Sequence, residues 1–404
     1  MSEIREKAEA ARDKRAVYGE DIDLEAFEAD VPIYTADPAL ERLSEEEKRH
    51  VLEVGIDVSE SGRTGSFFLR DHSPIQCMVG QDGVELLPIA EALIQYKDLE
   101  QYWWKAVDVG TDKYTAQAEM DPHSGYFLRV KAGVSVCLPV QACLYLSEEG
   151  VAQKVHNLII AEEGAEIHMI TGCTTAPHLK RGLHIGVTEI YVAKGATVTS
   201  TMLHNWGEAV IVRPRTAVWV EEEGRYMSNY VCFKPAKSVQ MYPSVRLKGK
   251  NAVARLNTIL LAGPGSMLDI GGKVSLEAEG CKAEIISRAI TTGGKIISRG
   301  MLVGQVPGVR AHLECSGLIL SNEGRIHAIP ELDGWVNGVD MSHEAAVGKI
   351  SREEIEYLMA RGLTEQEATA LIVRGFLNVK MEGLPKELQA EIERMIAETE
   401  ASVL

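Results

Sequence analysis

The chain has 404 residues, 45% of them hydrophobic and 25% charged, with a formal net charge of −17. That balance suits a soluble globular protein of one large domain or two to three ordinary ones. The acid excess repels phosphate backbones and anionic headgroups, which argues against a nucleic-acid partner and a polybasic membrane-surface role.

No apolar run approaches the roughly 18 to 20 residues of a membrane span. The charged start, MSEIREKAEAARDKRAVYGEDIDLEAF, carries no apolar stretch of a secretory signal, so a cytoplasmic location is expected. Seven cysteines (Cys77, Cys137, Cys143, Cys173, Cys232, Cys281, Cys315) are scattered with no CxxC spacing. They are expected as thiols, and a zinc knuckle or thioredoxin-like site finds no support.

Four divisions follow along the chain. Residues 1–60 read as a polar helical region, where Ser44 and Glu47 form a capping box and Gly55 offers a stop. Residues 61–150 read as mixed α/β. SFFLRD, PIQCMVG and YFLRVKAG are strand-like, and LLPIAEALIQYKDLEQYWWKAV has helical spacing. Residues 151–340 consist of short Val-, Ile- and Thr-rich runs punctuated by glycine. Gly164, Gly195, Gly224, Lys250 and Gly280 recur about every 30 residues, with a second series at Gly265, Gly294 and Gly324. Two turns per period without intervening helices predict a β-helix whose coils stack. An antiparallel sandwich of regular hairpins is the alternative.

Residues 341–404 read as a helical region. Ser351 with Glu354 and Thr364 with Glu367 repeat the capping device, Gly362 and Gly375 mark helix ends, and LPKELQAEIERMIAETEASVL adds a last helix. Its apolar stripes need cover from the β body or a partner.

Familiar enzyme signatures are missing. Gly293-Gly294-Lys295 is followed by Ile296 and makes no phosphate loop, and Gly263-Pro264-Gly265 reads as a turn between strands. GxSxG and HExxH do not occur. The chain is therefore expected not to be an enzyme in its own right.

The metal-ligating candidates are Cys315, His343 and Glu344. On a strand, Leu313 and Cys315 share one face, whereas His343 and Glu344 face opposite sides. A thiolate suits iron, zinc or sulfide-bridged clusters. The plainer alternatives are a small buried Cys and a surface dyad. His156, His168, Cys173, His178, His184 and His204 crowd the early coils. They read either as satisfied core and turn residues or as a second metal or sulfur path.

The segments ECSGLILS and SHEAAVGKISREEIEYLMARGLTEQEATALIVRGF resemble the C-terminal signature of the SufB/SufD family of iron–sulfur cluster assembly proteins. EVGIDVSESGRTGSFFLRDH and STMLHNW also resemble SufB, and Glu344 follows Cys315 by 29 residues, as in the SufB pattern. The resemblance implies a mainly β fold, with a right-handed parallel β-helix core and helical N- and C-terminal regions. It implies dimerisation through the β-helices, an ABC-type ATPase (SufC) on the C-terminal helices, and a transient iron–sulfur cluster passed to recipient proteins. Carried over residue by residue, it makes Cys315, His343 and Glu344 the cluster-holding groups.

Ser342 and Val347-Gly348 have a SufD flavour beside the SufB-like HEA, so a homodimer is expected, with a SufB/SufD heterodimer as the alternative. One departure stands out. RTAVWVEEEG places Trp219 where sulfur-accepting SufB proteins carry Cys in a stretch like KRALCEGE. Cys232 is a possible substitute, or sulfide arrives without a persulfide relay. The expectation is a cluster-assembly scaffold. Its rivals are a SufD-like structural partner without its own cluster and a polysaccharide-active β-helix enzyme.

Overall fold

The computed structural model describes residues 2–377, except 29–30, 60–61, 121–122 and 235. The last helix expected, over 384–404, lies outside the described residues. The N-terminal region opens with α1 (Ser2–Ala10) and α2 (Glu45–Leu52). Ser44 caps α2 as its sequence predicts. Its hydroxyl accepts from the Glu47 amide at 3.2 Å, and the Glu47 carboxylate accepts from the Ser44 amide at 2.8 Å.

Strands β1 (Gly65–Arg70), β2 (Ser73–Val79) and β3 (Val84–Pro88) follow, then α3 (Ile89–Gln95), α4 (Lys113–Met120) and β4 (Tyr126–Val130). The long helix expected over 86–107 is cut short. After α3 the chain makes a 3-10 segment, Lys97–Gln101, and then turns. The reason is tertiary. The carboxylate of Glu189, fully buried on a later strand, accepts from the amides of Trp104 and Ala106, both at 2.7 Å, and of Val107 at 3.0 Å. Trp104 itself has φ 55°. A charged acceptor for three amides outweighs helix propensity here.

From residue 140 the strands wind into a parallel solenoid of about 8 turns. One sheet stacks β5 (Val140–Leu146), β7 (Glu166–Thr175), β9 (Thr197–Asn205), β12 (Arg225–Lys234), β15 (Val253–Ala262), β17 (Lys282–Thr291), β19 (Arg310–Ile319) and β21 (Asp340–Gly348). The other contains β6 (Ala152–Ala161), β8 (Arg181–Val192), β16 (Met267–Leu276), β18 (Lys295–Gly304) and β20 (Arg325–Gly334). Between β8 and β16 it holds half-length strands, β10 (Ala209–Val212) with β11 (Arg215–Val220), and β13 (Ser238–Met241) with β14 (Ser244–Leu247). Pro214 and Pro243 fall in the two gaps, because proline cannot donate to a ladder. Parallel pairing throughout the coils excludes the antiparallel sandwich.

The turn period has a conformational cause. Gly164 and Gly195 both have φ +67°, a region that costs other residues strain. In the coils where the series reads Gly224 and Lys250, positive φ falls on their neighbours Glu223 and Asn251.

Early coils bury both faces. Strands β6 and β8 face the lumen on one side and Ile89, Trp103, Tyr114 and Phe127 of the N-terminal region on the other. Late strands bury alternate residues, as in β18 and β19. Strands β20 and β21 end their sheets among the described residues and are largely exposed, because no further described coil covers them. Strand β21 carries the solenoid to Gly348, so the C-terminal helices begin at Arg352 rather than at 341.

Helix α5 (Arg352–Met359) has Ser351 as N-cap without the expected side-chain bond, whereas Thr364 and Glu367 complete their capping box before α6 (Glu365–Leu377). Gly375 lies inside α6 instead of ending it, because Val373 and Leu377 are buried against the solenoid.

Candidate functional site

Cys315 lies on β19 with 2% of its surface exposed. Alternation turns Leu313 and Cys315 into the lumen and Glu314 outward. One hydroxyl meets the thiol from inside, and a second stands behind it. Ser298, across the lumen on β18, stands 3.8 Å from Cys315 Sγ and 3.0 Å from the hydroxyl of Ser287, the residue in register with Cys315 on β17. Burial pushes the thiol above its ordinary pKa; the Ser298 bond pulls it back, Glu314 adds to the rise, and Arg288 opposes it.

His343 and Glu344 sit one rung further, on β21. His343 is in register with Leu313, the inward column, and Glu344 with Glu314, the outward one. Ala345 stands opposite Cys315. The fold thus brings the three expected residues onto adjacent strands, with Cys315 and His343 on the same face of the sheet and Glu344 on the other. Among the described residues, no three His, Cys, Asp or Glu side chains converge closely enough to hold a metal ion. Both His343 and Glu344 are exposed at the uncovered end of the solenoid. One thiolate, one imidazole and one carboxylate have the right donor chemistry for iron, but a single chain does not close them around it.

Ser287 and Ser298 escape a reading based on motifs. Their signal is columnar: Tyr230, Thr258, Ser287 and Cys315 occupy the same register on β12, β15, β17 and β19. A cavity of about 20 Å³ lies along this column, lined by Tyr230, Thr258, Ser287 and Arg299. That is room for about one water.

Apart from His178, the early-coil histidines and cysteines are core or partly buried residues. Cys173, His204 and Cys232 stack in register on β7, β9 and β12, and the hydroxyl of Tyr230 pairs with His204 Nδ1 at 2.9 Å. His184 Nδ1 pairs with Gln153 at 2.8 Å. Burial holds His184 and His204 down to about 3 and pushes the Cys232 thiol up to about 12. The thiols are held in the protonated form, which does not ligate, and the Nδ1 atoms of His184 and His204 are taken up by hydrogen bonds within the core. His156 pairs with Glu189 at 3.0 Å and stacks on Trp103 at 3.7 Å. His168 meets Thr201 at 3.1 Å, and His178 is exposed in a turn.

Trp219 faces outward from β11, while its neighbours Val218 and Val220 fill the lumen. Position 219 therefore does not open onto the column that leads to Cys315. Cys232 does face the lumen, fully buried, beside the start of that column.

Comparison with known proteins agrees with this architecture. Residues 144–376 match the family model described as the SufBD core domain of SUF-system FeS cluster assembly. The chain is 46% identical over 396 residues to an iron–sulfur cluster assembly SufBD family protein of Methanothermobacter thermautotrophicus, covering 96% of this chain and 97% of that one. A family protein from Archaeoglobus fulgidus is 44% identical over 89% of this chain and 96% of its own. One from Staphylococcus aureus is 31% identical over 92% and 82%. A solenoid with a lumen-facing Cys315, matched along nearly its whole length by these relatives, belongs to the SufBD family of iron–sulfur cluster assembly proteins.

Proposed function

We propose that the chain is a scaffold subunit on which a nascent iron–sulfur cluster is built at the interface of two copies and from which it is released to recipient proteins. One observation carries this reading. His343 and Glu344 lie at the end of the solenoid, one rung beyond Cys315, where β20 and β21 have sheet edges unpaired among the described residues. Unpaired edges invite a second chain. Leu332, Trp335, Val336 and Val347 are large apolar side chains exposed at this same end. In a homodimer, His343 of one copy meets Cys315 of the other, and Glu344, on the opposite face of β21, is a ligand from across the interface or a group that tunes the cluster's lability. A SufB/SufD heterodimer would use the same end.

The donor chemistry suits a transient cargo. Thiolate, imidazole and carboxylate hold a cluster less firmly than four thiolates would. Cys315 must lose its proton to bind, and burial opposes that. Within this reading, Ser298 steadies the sulfur, and iron bound between the two copies would stabilise the thiolate once its proton leaves.

The exposed helix α5, together with α6, is the proposed dock for a SufC-like ABC ATPase. Helix α6 reaches the site region through Phe376, whose ring lies 5.8 Å from the Arg288 guanidinium. Arg288 in turn pairs with Glu314 at 2.6 Å, one rung from Glu344. Movement of the helices would be felt at the last coils by this contact. The chain itself carries no phosphate loop, so ATP hydrolysis belongs to the partner.

A SufD-like structural partner with no cluster of its own is the second reading, favoured by the lack of a converged donor set within one described chain. Anaerobic reconstitution with iron and sulfide separates the two. The scaffold reading expects both to be retained by the wild type and lost in Cys315→Ala; the structural reading expects neither to bind.

A further inference from the structure

On the outer face of the second sheet, several coils from Cys315, a groove of about 460 Å³ opens between the early coils and the N-terminal region. Its floor is a ladder of outward side chains in register, Ile160 on β6, Tyr191 on β8 and Trp219 on β11. The Tyr191 and Trp219 rings meet edge to face at 5.5 Å. Tyr102 adds a third ring, 4.8 Å from Tyr191, and the Tyr191 hydroxyl donates to the Tyr102 carbonyl at 2.6 Å. The wall is thereby fixed by hydrogen bonding as well as packing.

The rim is predominantly acidic. Glu162, Glu163 and Glu221 line the groove against a single ammonium, Lys248. Lys248 displays what the surface attracts: its Nζ stands 4.0 Å from the Trp219 ring centre and 3.5 Å from the Glu221 carboxylate. It serves the Trp219 end only. Glu162 is 3.9 Å from Arg129 and accepts from the Ala132 amide, and Glu163 is exposed with no cation beside it among the described residues. The cation nearest the Tyr102 end is Arg129, largely buried and shared among Asp98, Glu85 and Glu162, so carboxylates outnumber cations there and Glu163 faces the groove.

We propose that this groove docks an arginine side chain presented by a basic segment of a partner protein. A guanidinium stacks on aromatic faces and pairs with carboxylates in one plane, which fits the combination of Tyr102 with Glu162 and Glu163. The volume suits one long side chain with its flanking backbone. The net charge of −17 steers a basic partner towards the chain and an acidic one away. The assignment is independent of the cluster reading, since the groove faces away from the lumen.

The test is a titration of the full-length chain with acetyl-Gly-Arg-Gly amide, following the Trp219 indole N–H resonance. Trp219→Phe assigns that resonance by its disappearance. A saturable shift is expected, absent with the neutral citrulline peptide and weakened as salt approaches about 1 M, where screening acts within about 3 Å. Tyr102→Ala should raise the dissociation constant about tenfold and Glu163→Gln about threefold. Glu163 is exposed, so its variant keeps the fold even if the tyrosine variant does not. An unmoved resonance, equal shifts from the citrulline peptide, or unchanged affinity in Glu163→Gln overturns the proposal. Tighter binding of the corresponding lysine peptide overturns the arginine assignment.

Discussion

Cys315 is one of five fully buried cysteines in the described chain, and its surroundings separate it from the others. Cys173 and Cys232 share the early lumen with His184, His204 and Trp206, a packed interior with no uncovered side. Cys315 has polar hydroxyls at its back and the end of the solenoid one rung ahead. The early histidines make a measurable contribution of another kind. Their folded pKa values near 3 lie below the unfolded value of about 6.5. The unfolded chain therefore takes up protons that the native state refuses. Their stability contribution is fully present above about pH 6.5 and is lost as pH falls towards 3. His204→Gln should flatten the acid-side dependence of unfolding free energy by about 1.4 kcal/mol per pH unit between about pH 4 and 6. Urea titrations across that range check it; an unchanged slope would mean that His204 is protonated in the fold.

Legibility in the sequence differs from element to element. The coil strands are readable because turns that need positive φ, such as those at Gly164 and Gly195, recur at the coil period and punctuate apolar runs. The cap at Ser44 is readable because it is a local hydrogen-bond pair. The helix over 86–107 and the stop at Gly375 are misread because distant groups decide them, Glu189 in one case and the solenoid surface under Val373 and Leu377 in the other. Cys315, His343 and Glu344 are legible as candidates, and so is the opposite facing of His343 and Glu344, but which of the two shares the face of Cys315 is not. The one-residue offset that puts Ala345 opposite Cys315 appears only in the register. For α5 and α6 the packing also dictates how docking is best tested. Deleting both would uncover buried Val373 and Leu377, so exposed residues are the cleaner probe. Tyr357→Ala and Leu371→Ala, both at exposed side chains, should together weaken ATPase-subunit binding at least about tenfold without changing the thermal midpoint. Unaltered affinity in calorimetry would move the dock elsewhere.

At the scale of the whole molecule, the solenoid is closed by the N-terminal region along its early coils and left open at its last one. Interfaces with an apolar centre and paired edges are stable, and the open end has both ingredients. Trp335, 61% exposed at the turn between β20 and β21, is the largest of its side chains. Trp335→Asp should shift the chain from dimer to monomer in sedimentation velocity while leaving its circular dichroism unchanged; a dimer that survives would place the interface on another surface. On the proposed reading, the cluster site is a property of two chains rather than one. The most direct test is therefore iron and acid-labile sulfide per chain after anaerobic reconstitution, compared between the wild type and Cys315→Ala. The account predicts that both elements elute with the wild-type dimer and that both are lost from the variant, whereas equal iron and sulfide in the two proteins would contradict it.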